Sequence, residues 1–455
     1  MGELGEVLSP GEDEAGLPEA AVPGTPEVGE EEIREELPEF LAGTQEVFKI
    51  CRAKTSIGEA FFASDPEKRF PWIYPRDASC LINGLVELGD YGTAKQCCRY
   101  LLSCQLESGQ WVQRYTAEGE RADAKPEQDG ASLVMWSVMK YIERSGDTEF
   151  AQEVWPQIEK GLDWIEQEGR DGLEKYGLVH SQASINEAID SRTGEYVNQG
   201  YETWNNSVTA KALEMIGRQY NNERASSLSQ TIKDGISKHL ILDGKIIRRL
   251  KDNEERDEAP DFISLSPMYF DVFGQDEVLD GTHTFREIAA NTVEYLRANL
   301  EDHDIGGIRR FPGMDYRDEH PEYKGIVDPL LPGPWVHPTA WLAQTYAKMG
   351  ERKKALELVR WIFDQAEDGR LPEHLVSKGV FAKYHQEEID YHKSTKTGES
   401  RDRAVANVER MVGQLEADDN LAVEYVRPLL WAHIETLRVL KMLGDVDGFK
   451  VEKIE

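Results

Sequence analysis

The chain has 455 residues, 40 % of them hydrophobic, which allows one large domain or two to three average ones. Its 85 Asp and Glu outnumber 52 Lys and Arg, for a formal net charge of −33. A surface that acidic repels nucleic acid and anionic lipid head groups, so neither is expected as a partner, and it suits a neutral ligand such as a sugar.

The same charge fits a halophilic setting, because screening shortens to about 3 Å at 1 M salt and self-repulsion fades. No stretch approaches the roughly 18 apolar residues of a membrane span. The opening MGELGEVLSPGEDEAG has neither the basic nor the apolar region of a secretion signal. The five cysteines, Cys51, Cys80, Cys97, Cys98 and Cys104, are odd in number, and their spacing matches no zinc motif. They are expected to be reduced and buried in a cytoplasmic protein.

Residues 1–30 are rich in Glu, Gly and Pro and lack aromatics, so they read as a disordered acidic tail. From residue 31 to 455 the chain reads as one domain of helix after helix. Apolar residues recur at helical spacing over 76–89, 91–107, 129–144, 150–169, 207–220, 225–240, 285–300, 339–348, 353–365 and 428–443. Only short segments, such as Lys245–Leu250, look like strand, and no βαβ alternation or glycine-rich phosphate loop occurs. The helices pair across short turns. The longer segments between pairs, 63–75, 107–128, 170–206, 301–337 and 367–404, are rich in Trp, Tyr, Gly, Pro and acidic residues. Paired helices joined by aromatic loops fit an all-α (α/α)6 toroid of about twelve barrel helices, with a site built by the loops at one end.

Glycoside hydrolysis needs two carboxyl groups flanking the scissile bond. It also needs aromatic faces for stacking and polar groups for the hydroxyls. Acidic residues are too many here to choose by type, so loop context must choose. Trp72-Ile73-Tyr74-Pro75-Arg76-Asp77-Ala78 opens a helix, where Asp77 is favoured electrostatically. Among the tryptophans, Trp136, Trp155, Trp164 and Trp361 sit on helical faces and read as core. Trp72, Trp111, Trp204 and Trp335 lie in loops and read as stacking candidates. His433, in a helical segment, reads as a core or rim histidine.

The segment around Tyr74, Arg76 and Asp77 resembles the Trp-x-Arg-Asp motif of glycoside hydrolase family 15, the glucoamylases, with Tyr74 where Trp is usual. Further segments follow in that family's order. They are Pro126-Glu127-Gln128-Asp129-Gly130-Ala131-Ser132-Leu133, then Arg310-Phe311-Pro312 with Gly333-Pro334-Trp335, then Gly369-Arg370-Leu371-Pro372-Glu373-His374. The resemblance spans about residues 45 to 443. It implies an inverting, exo-acting hydrolase releasing β-glucose from α-glucans or oligosaccharides, without metal or cofactor. Only about 45 residues precede it, so an N-terminal β-sandwich domain is not expected.

The resemblance also implies site residues. Arg76, Asp77 and Arg310 would bond the terminal glucose, Tyr74, Trp204 and Trp335 would pack on it, and Glu127 and Asp129 would contribute polar contacts. Glu373 would be the general base. The acid is placed in the family after an aromatic in the loop before the sixth helix. Ser184-Ile185-Asn186-Glu187 matches that position, which assigns Glu187, with Glu202 as the other carboxylate in reach. Matching Trp204 to the family's Trp instead puts Asn205 in the acid's place. That alignment keeps a non-catalytic sugar-binding or regulatory protein as an alternative, beside hydrolases of trehalose, isomaltose or similar small α-glucosides.

Overall fold

The computed structural model describes residues 30–122, 127–185, 189–190, 199–310, 312, 326–327, 333–416, 422–446 and 449–452. The expected tail therefore lies outside the described residues, apart from Glu30. So does Glu187.

Fourteen α-helices are named here, in chain order, among the described residues. They are α1 (Glu30–Cys51), α2 (Pro75–Leu88), α3 (Tyr91–Ser103), α4 (Asp129–Ser145), α5 (Thr148–Tyr176), α6 (Thr203–Tyr220) and α7 (Glu223–His239). The short α8 (Ser266–Tyr269) continues a 3-10 turn over Phe262–Leu265. Then come α9 (Phe285–Leu300), α10 (Val336–Lys348), α11 (Arg352–Asp364), α12 (Lys378–Thr395), α13 (Gly398–Val412) and α14 (Leu430–Met442).

Six of these close a ring. α2 packs on α4, α4 on α6, α6 on α8, α8 on α10, α10 on α14, and α14 back on α2. The sequence explains why they are inner: α4, α6, α10 and α14 bury residues on nearly every side, while the outer α5, α7 and α11 bury one stripe. α3, α5, α7, α9, α11 and α1 form the outer layer, with α1 packed on α11 and α14. The twelve-helix toroid expected from the sequence is the fold found. Among the described residues no helix is long and apolar enough to cross a membrane. The five cysteines are free and buried, as expected.

Turn chemistry sets the helix pairs. α2 ends at Gly89 in the left-handed region (φ 84°), and Asp90 caps α3 by accepting from the Thr93 amide at 3.1 Å. Gly146 (φ 70°) and Asp147 repeat the device between α4 and α5. A buried polar network ties the ring across its axis. Glu435 accepts from Tyr269 (2.7 Å), Gln344 (2.8 Å), Arg438 (2.8 Å) and Trp431 (3.0 Å), and Arg438 also reaches Glu87 at 2.8 Å. Three inner helices, α8, α10 and α14, thus share one satisfied carboxylate, and Arg438 ties α2 to it through Glu87.

One segment differs from the sequence reading. Residues 367–404, expected as a loop, include α12 and the start of α13. The two helices form a hairpin on a two-stranded antiparallel ribbon, Leu375–Ser377 against Ala422–Glu424. Their apolar residues Phe381, Ile389, Val408 and Met411 pack with Val376, Val423 and Tyr425 into a small core separate from that of the ring. The hairpin is polar apart from this stripe, which is why loop composition masked the helical period.

Candidate active site

The inner helices point their N-termini to one end of the ring, and the candidate residues gather there. Tyr74 is the residue before α2, Arg76 and Asp77 lie in its first turn, Asp129 begins α4, Glu202 precedes α6, and Trp335 precedes α10. Amide groups at such ends favour carboxylates. Pro75 starts α2, where a missing N–H costs nothing, so Asp77 sits inside the first turn rather than capping it.

A pocket opens at this end. Its wall includes Tyr74, Arg76, Asp77, Arg310, Trp335 and Glu373, all six anticipated from the sequence. Arg76 donates to Glu127 at 2.5 Å, and its Nε lies 3.7 Å from Asp77. Arg310 donates to the carbonyl of Ile185, which also lines the pocket. Ile185, two residues before Glu187 in the sequence, thus stands in the pocket wall.

The other anticipated residues stand behind the wall rather than in it. Glu127 and Asp129 are buried, and Trp204 gives its indole N–H to Asp129 at 2.6 Å. Trp204 is fully enclosed, stacked on Trp341 at 5.1 Å, so its ring faces the core instead of a ligand. Trp111 is enclosed too and donates to the Leu101 carbonyl, while Trp72 lies under Arg114, away from the pocket wall. Of the four loop tryptophans only Trp335 lines the pocket. Asn205 is buried in the first turn of α6 and does not reach the wall.

Glu202 is fully buried below the pocket, in register with Arg249 and near Asp129, Asp261 and Arg248. Burial, then the neighbouring Asp129 and Asp261, raise its carboxyl well above the usual range. Asp261 is pushed up to about 6, mainly by burial. His433 is a core histidine as expected: Nε2 accepts from the Leu371 amide and Nδ1 faces the Thr44 hydroxyl, both at 2.9 Å.

Glu373 is held by its backbone on both sides. Its amide donates to the Val426 carbonyl at 2.7 Å, and its carbonyl accepts from Val336 at 3.3 Å. Behind it, Gly369 (φ 68°) lets the turn press on α1, where a Cβ would stand 2.3 Å from the Glu39 carbonyl oxygen. The preceding Leu371 is fixed by His433.

Among the wall residues that were not anticipated are three stacked rings, Trp431, His337 and His374. Trp431 sits in the first turn of α14, oriented by its bond to Glu435, and stacks on His337 at 4.2 Å. His374 follows Glu373 and lies flat between Trp335 (4.4 Å) and Tyr425 (4.0 Å). Burial keeps both imidazoles uncharged, with Arg310 adding to the effect on each. A Trp or His in the first turn of an inner helix was the available clue.

No family model matches the chain. Solved structures do. A wild-type glycosidase superposes with a TM-score of 0.60 at 18 % identity, covering 91 % of this chain and 99 % of that one. A bacterial glucoamylase complexed with acarbose gives 0.58 at 13 %, covering 89 % and 55 %. A glucoamylase from Saccharomycopsis fibuligera gives 0.51 at 14 %, covering 90 % and 96 %. Among curated proteins, an uncharacterized glycosyl hydrolase of Methanocaldococcus jannaschii is 20 % identical over 336 residues, 68 % of this chain and 47 % of that protein. The chain thus spans about half the length of that curated relative. Ring, pocket and comparisons agree on the architecture: this chain has the helical toroid fold of the glucoamylase-type glycosidases.

Proposed function

We propose that this protein is a glycoside hydrolase that removes glucose from the non-reducing end of an α-glucoside by single displacement. The observation that carries the reading is the joint presence of Glu373, Asp77, Arg76, Trp335 and Trp431 in the wall of one pocket. That set supplies a carboxylate, hydroxyl partners and stacking faces, the parts a glycosidase site needs. A pocket, as opposed to an open cleft, favours reaction at a chain end.

In this reading Glu373 takes a proton from water as the water oxygen attacks the anomeric carbon. Glu187 gives its proton to the glycosidic oxygen as the C–O bond breaks. β-Glucose and the free alcohol leave with Glu373 protonated and Glu187 ionised, and proton exchange with solvent resets the pair. The position of Ile185 in the pocket wall supports Glu187 as the acid. Glu202 has the raised affinity for a proton that an acid needs, yet it lies below the wall. The alternative of a sugar-binding protein without catalysis rested on Asn205, and its buried position lends that alternative no support.

The test is glucose release from maltose, isomaltose, trehalose, maltodextrin and glycogen, in low and high salt, with the product anomer followed by proton resonance. Release of β-glucose supports the reading. Release of α-glucose from the non-reducing end of maltodextrin overturns the single displacement (under inversion trehalose itself yields one α- and one β-glucose), and no release from any of them overturns an α-glucosidase acting on neutral substrates.

A further inference from the structure

One wall of the pocket is a column of stacked rings with a guanidinium at each end. Arg310 lies over Trp335 (4.9 Å), Trp335 on His374 (4.4 Å), His374 on Tyr425 (4.0 Å), and Arg69 over Tyr425 (4.9 Å). All five residues line the pocket. Arg310 and Arg76 both act on His337, Arg310 donates to the Ile185 carbonyl, and Arg76 is matched by Glu127 and Asp77. At the Arg69 end, Tyr391, His392, Thr395 and Lys396 of the α12–α13 hairpin close the pocket, and Lys396 is a second cation.

Arg69 has no carboxylate within 4 Å among the described residues. Its recognised polar neighbour is the Asn407 amide, whose oxygen, turned toward it, accepts at 3.2 Å. A guanidinium has five donors, so several remain for a ligand. The cations act on this end of the pocket: Arg69 disfavours the charged form of both His374 and His392, and Lys396 does so for His392. In a chain of net charge −33, the described wall residues at this end include two cations, Arg69 and Lys396, with the buried Glu388 carboxylate 3.3 Å from His392. The pocket, about 190 Å³, is also small.

We propose that Arg69 and Lys396 form a subsite for an anionic group on the leaving alcohol, so that the preferred substrate is a short α-glucoside whose aglycone carries a carboxylate or a phosphate. This rests on the hydrolase reading and narrows it. A glucosyl unit at the Asp77 end leaves its aglycone along the ring column, which delivers an anion to Arg69. Guanidinium recognises both groups in bidentate fashion.

The experiment compares matched substrates on the full chain. Maltitol and maltobionate carry the same α-glucosyl group on an open-chain alcohol and differ in a hydroxymethyl against a carboxylate. Trehalose and trehalose 6-phosphate form the phosphate arm. We expect kcat/KM for at least one anionic member to exceed that of its neutral partner by about tenfold or more, as for a charge-assisted contact. The ratio should shrink between about 0.05 and 0.5 M salt. It should collapse toward one in Lys396→Met and in Arg69→Met, with Arg69→Lys keeping part of it if Arg69→Met folds poorly.

Calorimetric binding of the same four compounds separates the two readings. Hydrolysis of neutral and anionic members at equal efficiency overturns the anionic subsite and leaves the hydrolase standing. Binding of an anionic member that Lys396→Met weakens, without hydrolysis of any compound, upholds the subsite and overturns the hydrolase. Neither binding nor hydrolysis overturns both. Which arm shows the preference decides between carboxylate and phosphate.

Discussion

Trp204 donates its indole N–H to Asp129 at 2.6 Å, and both side chains are enclosed. The pair joins the first turns of α4 and α6 just behind the pocket. Trp204→Phe keeps the ring and deletes the donor to a buried carboxylate. It should lower the unfolding free energy by about 1–3 kcal/mol, measured by urea titration. A loss below about 0.5 kcal/mol would mean that Asp129 is solvated or neutral there.

The proposed catalytic pair predicts a pattern among carboxyl variants. Glu373→Gln and Glu187→Gln should each lower kcat by about 10²–10⁴, and the two carboxyl groups should stand about 6.5–9.5 Å apart in a ligand complex. Glu202→Gln should retain most of the turnover. If instead Glu202→Gln is inactive and Glu187→Gln is not, the acid moves to Glu202 and the base assignment survives.

Asp77 tests the hydroxyl-binding end. It lines the pocket from the first turn of α2, with Arg76 Nε 3.7 Å away. Asp77→Asn should cost about 1–3 kcal/mol in kcat/KM, the range for a hydrogen bond to a charged group. Unchanged kinetics with a lowered melting temperature would make it a helix-terminus charge alone.

His433 predicts a pH dependence of stability. Burial holds its pKa at about 3, against an ordinary value near 6.5. Between those values the unfolded chain binds a proton that the folded chain does not, so stability falls as pH falls through 6.5. The slope is about 1.4 kcal/mol per pH unit for one proton. Gln can accept from Leu371 and donate to Thr44. His433→Gln should therefore reduce the loss of unfolding free energy between pH 7 and pH 5 by about 2 kcal/mol, read by denaturant titration at each pH.

The net charge of −33 predicts a response to salt. If the charge is an adaptation to brine, as we propose, the melting temperature should climb with KCl to molar concentrations as repulsion is screened. A melting temperature indifferent to salt up to about 2 M would remove that reading.

Apart from the short α8 (Ser266–Tyr269), which the sequence reading did not list, the ring was legible in the sequence because its helices carry long, regular apolar periods. Phe285–Leu300 was delimited to the residue, and α10 was placed three residues short because Val336, His337 and Pro338 read as loop. The Glu373 turn was legible through its local motif, since Pro372 and Gly369 fix its backbone. Trp431 and His337 were not, because burial on every side of an inner helix makes a pocket-facing ring look like one more core residue. Trp204 failed for the converse reason: a residue just inside a helix start resembles loop in sequence but faces the core. The hairpin escaped because its apolar stripe packs on a ribbon instead of on the ring.

That ribbon pairs Leu375 with Glu424 and Ser377 with Ala422, so the chain leaves the toroid and re-enters it side by side, two residues after Glu373. A neck of this kind makes the hairpin a replaceable module. Segments of other lengths could be exchanged on it without moving the carboxylate at its foot, so that, under the function proposed above, the range of alcohols accepted would drift during evolution while the proposed base stays fixed.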